Sequence, residues 1–348
     1  MGKFEHNRTC LYVAIYLYYK NMLTIEKFSG DIKVEKCACV VVTYFPDSSC
    51  LEHLNYLTKL CQRVVVVDNT PGEKQVSFPA TRNLTVLRLG ENRGLAFALN
   101  KGIRTAGAYG LENLFLLDQD SVVPEDYFSN MLRFKANTDL RYRNCAMYVP
   151  NFWDRNSHTF ARFPVLTPFT IRHWTCENMR AVRTNEVLIA ITSGTLITYS
   201  MYKKLGPLRD EYFIDFLDNE YCLRAGKMGL KIAVNCDVTL NHSIGKRTRH
   251  SLMGLPIKPN YHSPLRRYYI ARNGLRTAID YFAYYPSYSA LIVIRLIHEI
   301  VSILIYEDKK LKKIHAFICG IYHGLINRMG KRQLEWSNSC NRDGGPQD

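Results

Sequence analysis

The sequence predicts an α/β protein in which a mostly parallel central sheet is followed by a helical C-terminal extension. Three observations carry that prediction. Apolar runs too continuous for a half-solvated strand recur through the first third of the chain, segments of helical spacing separate them, and polar or turn-forming clusters close them. Strands buried on both faces read as unbroken Val- and Leu-rich runs, and strands alternating with helices favour parallel pairing.

The elements follow in order. Cys37-Ala-Cys-Val-Val-Val-Thr43, closed by Tyr-Phe-Pro-Asp, reads as a first buried strand. Ser48 to Cys61 sets Leu51, Leu54, Leu57 and Leu60 along one side of a helix. Arg63 to Val67 is a second strand, ended by the turn signal Asp68-Asn-Thr-Pro-Gly72. Leu84 to Leu89 reads as a third strand, Leu95 to Thr105 as a helix, and Asn113 to Leu117 as a fourth strand. Tyr142 to Trp174, rich in proline, aromatic and basic residues, reads as irregular loops over an acceptor site. Val187 to Tyr199 reads as strand, turn and strand around Ser193-Gly194, and past Tyr261 the chain turns helical, basic and tyrosine-rich. Three segments result: an N-terminal extension over 1–36, a catalytic domain over 37–260 and a helical basic region over 261–348.

The 348 residues carry 46 Lys and Arg against 31 Asp and Glu, a formal net charge of +15. Such an excess suits a polyanionic partner. The basic residues are dispersed and no helix-turn-helix or aromatic RNA-binding motif accompanies them, which excludes nucleic acid. A diphosphate substrate and an acidic membrane surface remain. The 11 cysteines are scattered, without paired CxxC motifs at zinc spacing. Cys37, Cys39 and Cys236 lie in strand-like runs, so a reduced, cytosolic compartment is expected. Cys10 to Tyr19 is apolar but far short of the roughly 20 residues of a spanning helix. Lys20 and Asn21 follow it with no small-residue cleavage site, so it reads as uncleaved extension, with Met22 as the alternative start.

Four clusters carry chemistry, and each lies beyond a strand end or opens a helix. Asp118-Gln-Asp120 closes the fourth strand, where residues two apart project to one side. Two such carboxylates repel unless protonated or bridged by a cation, and hard oxygen ligands suit Mg2+ or Mn2+ shared with phosphate. A solvated turn or a helix cap before Pro124 is the competing reading. In Gly90 to Gly102, Asn92, Ala96 and Asn100 share a helical face, where small residues admit a ligand and amides hold it; tight packing on the sheet competes. The segment is not GxGxxG, so no dinucleotide fingerprint is present. Phe213-Ile-Asp215-Phe-Leu-Asp218-Asn-Glu220 opens a helix, and its acids are either helix caps or contain a general base, with Asp218 first and Asp215 behind it. Asn241-His242 ends an apolar run, where the histidine is a metal ligand or a satisfied structural residue.

Taken in order, Val-Val-Thr43-Tyr44, Val-Asp68-Asn69, Asn92-x-Gly-x-Ala-x-Ala-x-Asn100-x-Gly, Asp118-x-Asp120, Ser193-Gly194, Asp218-x-Glu-x-Cys-x-Arg and Asn241-His242 resemble a family-2 glycosyltransferase of the GT-A fold. The tail Tyr269-Ile-Ala-Arg272-Asn273 resembles its bacterial rhamnosyltransferase branch. The resemblance implies that Thr43, Tyr44 and Asp68 contact the nucleoside, and that Asn92, Gly94, Ala96 and Asn100 line the nucleotide pocket. It implies Asp118 at ribose and metal, Asp120 and His242 on the metal, and Ser193 and Gly194 under the donor sugar. Leu217 stands where the family's acidic motif commonly begins with an acid, which leaves Asp215 and Asp218 both open as the base. The implied reaction is inverting transfer of L-rhamnose from dTDP-L-rhamnose to a lipid-linked O-antigen or capsule precursor. A UDP-hexose is the alternative donor. Two other classes compete. A nucleotidyltransferase wants a glycine-rich basic signature where Phe45-Pro46-Asp47 stands, and a non-catalytic nucleotide- or glycan-binding protein shares the same pocket.

From Ala290 to Tyr306 the polar residues Arg295, His298, Glu299 and Ser302 form one narrow stripe, and Lys309, Lys310, Lys312 and Lys313 follow. That pattern predicts a helix lying in an anionic membrane surface, with the protein peripheral at the inner face of the cytoplasmic membrane. Packing on the catalytic domain or in a homodimer interface competes.

Overall fold

The uninterrupted apolar runs form the inside of one sheet, because a strand flanked by strands on both edges and helices on both faces has no wet side. In a computed structural model of the protein, these runs become β1 (Glu35–Thr43), β2 (Cys61–Pro71) and β4 (Asn113–Asp118). The structure describes residues 35–332, apart from 75, 143, 155, 168–169, 243–249, 253–254 and 258–260; the N-terminal extension, with Met22, lies outside them. Together with β3 (Leu84–Gly90), β5 (Cys145–Asp154), β9 (Glu186–Val187), β10 (Thr195–Thr198) and β11 (Lys231–His242), they make a sheet of order β3-β2-β1-β4-β10-β5-β11-β9. The pairs β3/β2, β2/β1, β1/β4 and β5/β11 are parallel, and β10 runs antiparallel between its neighbours. This is the mostly parallel α/β sheet that the sequence predicts. A short β6 (Thr159–Phe160) folds back on β5, and β7 (Phe163–Leu166) pairs with β8 (Ile171–Trp174) beside it. Another small pair joins β12 (His250–Leu252) and β13 (Leu255–Ile257).

The segment 142–174, expected as irregular loops, instead holds β5, β6, β7 and β8, of which β5 is the longest. It is ten residues long, nearly all buried, and central between β10 and β11. Pro150 removes one ladder donor, which makes the segment read as loop. The structure absorbs the proline by a register shift in β11 between Asn235 and Thr239, opposite Pro150 and Asn151.

Helix α1 (Ser48–Leu60) is capped by Asp47, whose carboxylate accepts from Cys50 N, and buries Leu54, Leu57 and Leu60. Helix α2 (Leu95–Ala108) lies so close to the sheet that a Cβ on Gly102 would meet Val40 Cγ1 at 2.3 Å. Beyond them follow α3 (Tyr127–Arg141), α4 (Cys176–Ala181), α5 (Tyr199–Leu205) and α6 (Leu217–Lys227). Cys176 of α4 is joined to Cys236 of β11 by a disulfide. The expectation of uniformly reduced cysteines is corrected here: partners 60 residues apart carry no spacing signal.

The extension consists of α7 (Pro264–Tyr281), α8 (Pro286–Tyr306) and α9 (Lys310–Leu325). It belongs to the same compact unit as the sheet. Gly320 and Gly324 let α9 cross α7 at backbone contact, since Cβ atoms there would meet Tyr268 O at 2.4 Å and Arg272 O at 2.7 Å. The polar stripe of α8 is split: Glu299 and Ser302 face inward, while Arg295 is exposed and His298 half-buried. Glu299 and Ser302 are buried, Arg267 of α7 sits between Glu299 and Glu307, and Lys313 is buried against Glu307 at 2.9 Å and Asp308 at 2.8 Å. Of the four lysines counted toward a membrane surface, Lys313 is withdrawn into this network, and Lys309, Lys310 and Lys312 are exposed. Exposed apolar side chains line the outer face, Val293, Ile294, Ile297 and Leu304 on α8 and Leu311, Ile318 and Tyr322 on α9, with Arg295 among them.

Candidate active site

Strand order reverses direction between β1 and β4, since β2 and β3 continue to one side and β4 starts the other. The crevice beyond the carboxyl ends at such a switch point is where open α/β sheets bind ligands. Register brings the residues together: Thr43 pairs with Asp68, and Val42 with Asp118. Thr43 Oγ1 and Thr70 N donate to Asp68 Oδ1 at 3.2 and 3.0 Å. Tyr44 N donates to Gln119 Oε1 at 2.8 Å, which ties the two strand ends across the crevice. Asp68 is buried, and its Oδ2 has no hydrogen-bond partner among the described residues. A buried carboxylate oxygen ordinarily finds a donor, so this atom marks a place for one from outside the chain.

The turn into α2 is fixed by amides. Asn92 Oδ1 accepts from Gly94 N at 3.0 Å, and Asn69 Oδ1 accepts from Arg93 N at 3.1 Å. Gly94 has φ +89°, and a Cβ there would lie 2.7 Å from Phe213 O and 2.9 Å from Phe213 Cα. Its glycine is therefore required by the approach of the 213 loop. Ala96 and Asn100 are buried. Asn100 Nδ2 donates to Leu208 O and Asp210 Oδ1, while Oδ1 accepts from Tyr202 Oη and Leu208 N. These four bonds leave it nothing to offer a nucleotide. The Asn92/Ala96/Asn100 face thus splits: Asn92 at the rim, the other two sealed inside.

At the end of β4, Asp118 is half-buried and Asp120 exposed. Ser193 Oγ lies 3.4 Å from Asp118 N and 2.6 Å from Ser121 Oγ, so the 193–194 turn is fastened to this strand end. Gly194 has φ +77° and is hemmed by Leu240, Pro150 and Tyr127. An isolated bridge pairs Val122 with Asn241, bringing the end of β11 beside the Asp118–Asp120 turn. His242 ends that strand in register with Asp154, and its side chain lies outside the described residues.

The two candidate bases have different surroundings. Asp215 holds Arg266 of α7 through paired bonds of 3.1 and 3.2 Å. Asp218, on the first turn of α6, has no cation among the groups acting on it: burial first, then the charge of Asp118 and that of Asp215, push its carboxyl up to about 7. The Thr192 backbone hydrogen-bonds it and offsets part of that rise. Glu220, two residues on, is fully buried and locked by Arg224, Arg209 and Tyr281. The segment before α6 is strained. Phe213, Asp215 and Phe216 have φ of +65°, +61° and +63°, at about 1–3 kcal/mol each for residues other than glycine. Sequence reasoning missed Gln119, Thr192, Arg266 and Asn273 as parts of this site. Gln119 and Asn273 lie in motifs it singled out, Asp118-Gln-Asp120 and Tyr269-Ile-Ala-Arg272-Asn273, without being assigned a role.

Among the described residues, no three His, Cys, Asp or Glu side chains converge as a closed metal site. The donors present are the Asp118 and Asp120 carboxylates at one strand end, with the backbone of residue 241 alongside. Two hard oxygen ligands with open positions fit Mg2+ or Mn2+ shared with phosphate oxygens better than a closed protein cage.

A family model described as glycosyl transferase family 2 matches residues 48–206. The dTDP-rhamnosyl transferase RfbF of Shigella flexneri is 31% identical over 243 residues, covering 67% of this chain and 77% of that protein. Among solved structures, GalNAc-T7 with UDP, GalNAc and Mn2+ is similar at a TM-score of 0.49 and 15% identity, over 74% of this chain and 50% of that one. The chain therefore spans half that structure's length. Mannosyltransferase PcManGT from Pyrobaculum calidifontis, in complex with GDP-Man and Mn2+, is similar at a TM-score of 0.49 and 14% identity, over 90% of this chain and 95% of that one. Likeness at that level carries no weight for fold or chemistry; the α/β architecture stands on its own strand order. The family model and the Shigella relative together make this chain a glycosyltransferase, a member of glycosyl transferase family 2.

Proposed function

We propose that the protein is an inverting rhamnosyltransferase, taking L-rhamnose from dTDP-L-rhamnose to a lipid-linked precursor of a surface polysaccharide, with Asp218 as general base. The observation that carries the mechanism is Asp218 itself, pushed up to about 7 beside the strand end that bears Asp118. A base poised near neutral pH takes a hydroxyl proton without being permanently protonated or too weak to act. Asp218 accepts the acceptor's proton while the acceptor oxygen attacks the anomeric carbon opposite the departing diphosphate. Inversion follows, and no covalent enzyme intermediate forms. Asp215, already engaged by Arg266, acts behind it. The unpartnered Asp68 Oδ2 supports a nucleobase N–H at that point, flanked by Thr43 and Tyr44. Asn92 and Gly94 shape the rim of the same crevice, with Ser193 and Gly194 as the floor for the donor sugar. Asp118 and Asp120, with His242, are the residues that would hold Mg2+ or Mn2+, and the cation would offset the charge growing on the leaving diphosphate.

The donor comes from the Shigella relative's name, and the acceptor from the surface of the extension. Exposed apolar side chains on α8 and α9 beside Lys309, Lys310 and Lys312 suit an anionic bilayer surface, and this supports the reading of a peripheral enzyme at the inner face of the cytoplasmic membrane acting on a lipid-linked acceptor. By length and composition α8 is able to cross a membrane, yet Glu299 is committed to Arg267 inside the protein, which favours lying on the surface. A homodimer through the same face is the competing use.

The test is nucleoside diphosphate release by the full chain from dTDP-rhamnose and a panel of UDP-hexoses, with and without excess EDTA. We expect turnover of dTDP-rhamnose alone, abolished by EDTA and by Asp120→Ala. Turnover confined to a UDP-hexose rejects the donor and keeps the class, and full activity in EDTA rejects the metal.

A further inference from the structure

We infer that Asn273 of α7, with Arg272 and Arg266 on the same helix, is a positioning residue that holds the 211–216 backbone in the conformation presenting Asp218 to the acceptor. The inference rests on the reading of Asp218 as base. Its starting point is the strain already described. Phe213 has φ 65° and ψ −64°, and Ile214 N donates to Tyr212 O at 2.8 Å, which is the rare γ-turn with positive φ. Asp215 and Phe216 follow with positive φ, so three L residues stand in a region they avoid. None of this is local preference, and something outside the loop must impose it.

That something is identifiable atom by atom, because every carbonyl from Glu211 to Asp215 accepts a bond from outside the loop. Arg272 Nη2 donates to Glu211 O at 2.9 Å and Tyr212 O at 3.2 Å. Asn273 Nδ2 donates to Tyr212 O and Ile214 O at 2.8 Å and to Asp215 O at 3.0 Å. Phe213 O is taken by Leu95 N at 2.6 Å, at the start of α2 where Gly94 makes room. Arg266 grips the Asp215 side chain. Arg272 Nε in turn donates to Asn273 Oδ1 at 2.9 Å, fixing which way the amide faces. Both Arg272 and Asn273 are fully buried. A single amide spanning three carbonyls of a turn that leads directly into α6 sets where the first turn of that helix begins, and hence where Asp218 stands. Strain of this kind persists only where surrounding structure over-determines it, and it collects at catalytic loops.

The experiment compares Asn273→Ala, Arg266→Gln and Asp218→Asn with the wild type in the full chain, measuring kcat, donor KM and thermal midpoint. Asn273→Ala should lower kcat at least about tenfold and leave donor KM within about twofold, the signature of misplaced chemistry with intact donor binding. Arg266→Gln, at a half-exposed side chain, should fold normally and lower kcat about threefold with KM unchanged. It carries the test if Asn273→Ala fails to fold. Because Asn273 acts through Asp218, adding Asn273→Ala to Asp218→Asn should cost almost nothing further. Wild-type kcat in both loop variants overturns the proposal, as does a rise in KM at constant kcat. So does a loss that tracks the folded fraction or multiplies with that of Asp218→Asn. An active Asp218→Asn removes the base, whereas an inactive Asp218→Asn beside a fully active Asn273→Ala removes only the positioning role.

Discussion

At the carboxyl edge of the sheet, Asp68 is buried and Asp218 half-buried with no cation among the described residues against either, whereas in the helical extension Arg267, Glu299, Glu307 and Lys313 are buried as two cations and two anions. The first arrangement is incomplete by itself. Burial, with the charges of Asp118 and Asp215, raises the proton affinity of Asp218, which a proton or a nearby cation relieves, and Asp68 Oδ2 lacks a donor among the described residues. The second is compensated in charge: each ion has a partner of opposite sign. Uncompensated buried acid thus marks the site, and compensated buried charge marks architecture, although both look alike as scattered charged letters in a sequence.

The architectural half breaks most severely. Removing one member of a buried ion network leaves the others desolvated and unpaired, at about 3–5 kcal/mol. Arg267→Ala should therefore lower the free energy of unfolding by about that amount, read from the denaturant midpoint, because it takes the close partner from buried Glu299 and leaves Glu307 with Lys313 alone. An unchanged midpoint would show that the network holds nothing and would erase the contrast.

The site half breaks in rate. Asp218→Asn keeps the shape and removes the base, and kcat should fall about 10²-fold, about 2.7 kcal/mol of barrier, with donor affinity retained. The pH dependence has a definite sign. With the carboxyl pushed up to about 7, wild-type kcat should rise with pH through that value, since only the deprotonated form accepts the acceptor's proton. A cation on Asp118 reduces the charge contribution and leaves burial, the larger cause, in place. Stability runs the other way. The folded carboxyl is raised from 3.8 to about 7, so the folded state binds the proton more tightly, and stability is lost as pH rises through that window. A flat pH–rate profile between 5 and 8 would return Asp215 to consideration.

The first four strands and two helices were legible because their burial is continuous, and continuity survives in a one-dimensional string. Asp118 and Asp68 were legible for the same reason, as polar residues ending apolar runs. Pro150 hid β5, since the compensating shift lies in β11, some 85 residues away in the chain. Asn273 carried only a motif resemblance, because its bonds reach residues 58–61 positions earlier. The spacing of Asn92, Ala96 and Asn100 predicted one helical face, but the helix begins at Leu95, so Asn92 stands in the turn before it and only Ala96 and Asn100 share the face, covered by protein. Tail charges misled in the same way. Periodicity found the stripe on α8, while the partners that turn part of it inward stand 32 and 40 residues from each other in Arg267–Glu299 and Arg267–Glu307.

That split also sharpens the smallest prediction. With Glu299 and Ser302 inside, the outward face of α8 and α9 presents Ile294, Ile297, Leu304, Leu311 and Ile318 around Arg295, rimmed by Lys309, Lys310 and Lys312. Each exposed lysine near an anionic surface contributes on the order of 1 kcal/mol, so changing one to glutamine should weaken vesicle binding about fivefold at low salt. Lys313 is different. Buried between Glu307 and Asp308, it touches no lipid, and Lys313→Gln should destabilise the fold while leaving the affinity of the folded protein for vesicles unchanged. Co-sedimentation with anionic and neutral vesicles at low and high salt measures both. If Lys313→Gln weakens binding of the folded protein as much as Lys310→Gln, the partition of the lysines is wrong. If the intact protein ignores anionic vesicles at low salt and sediments as a dimer, the apolar face belongs to a second copy of the chain.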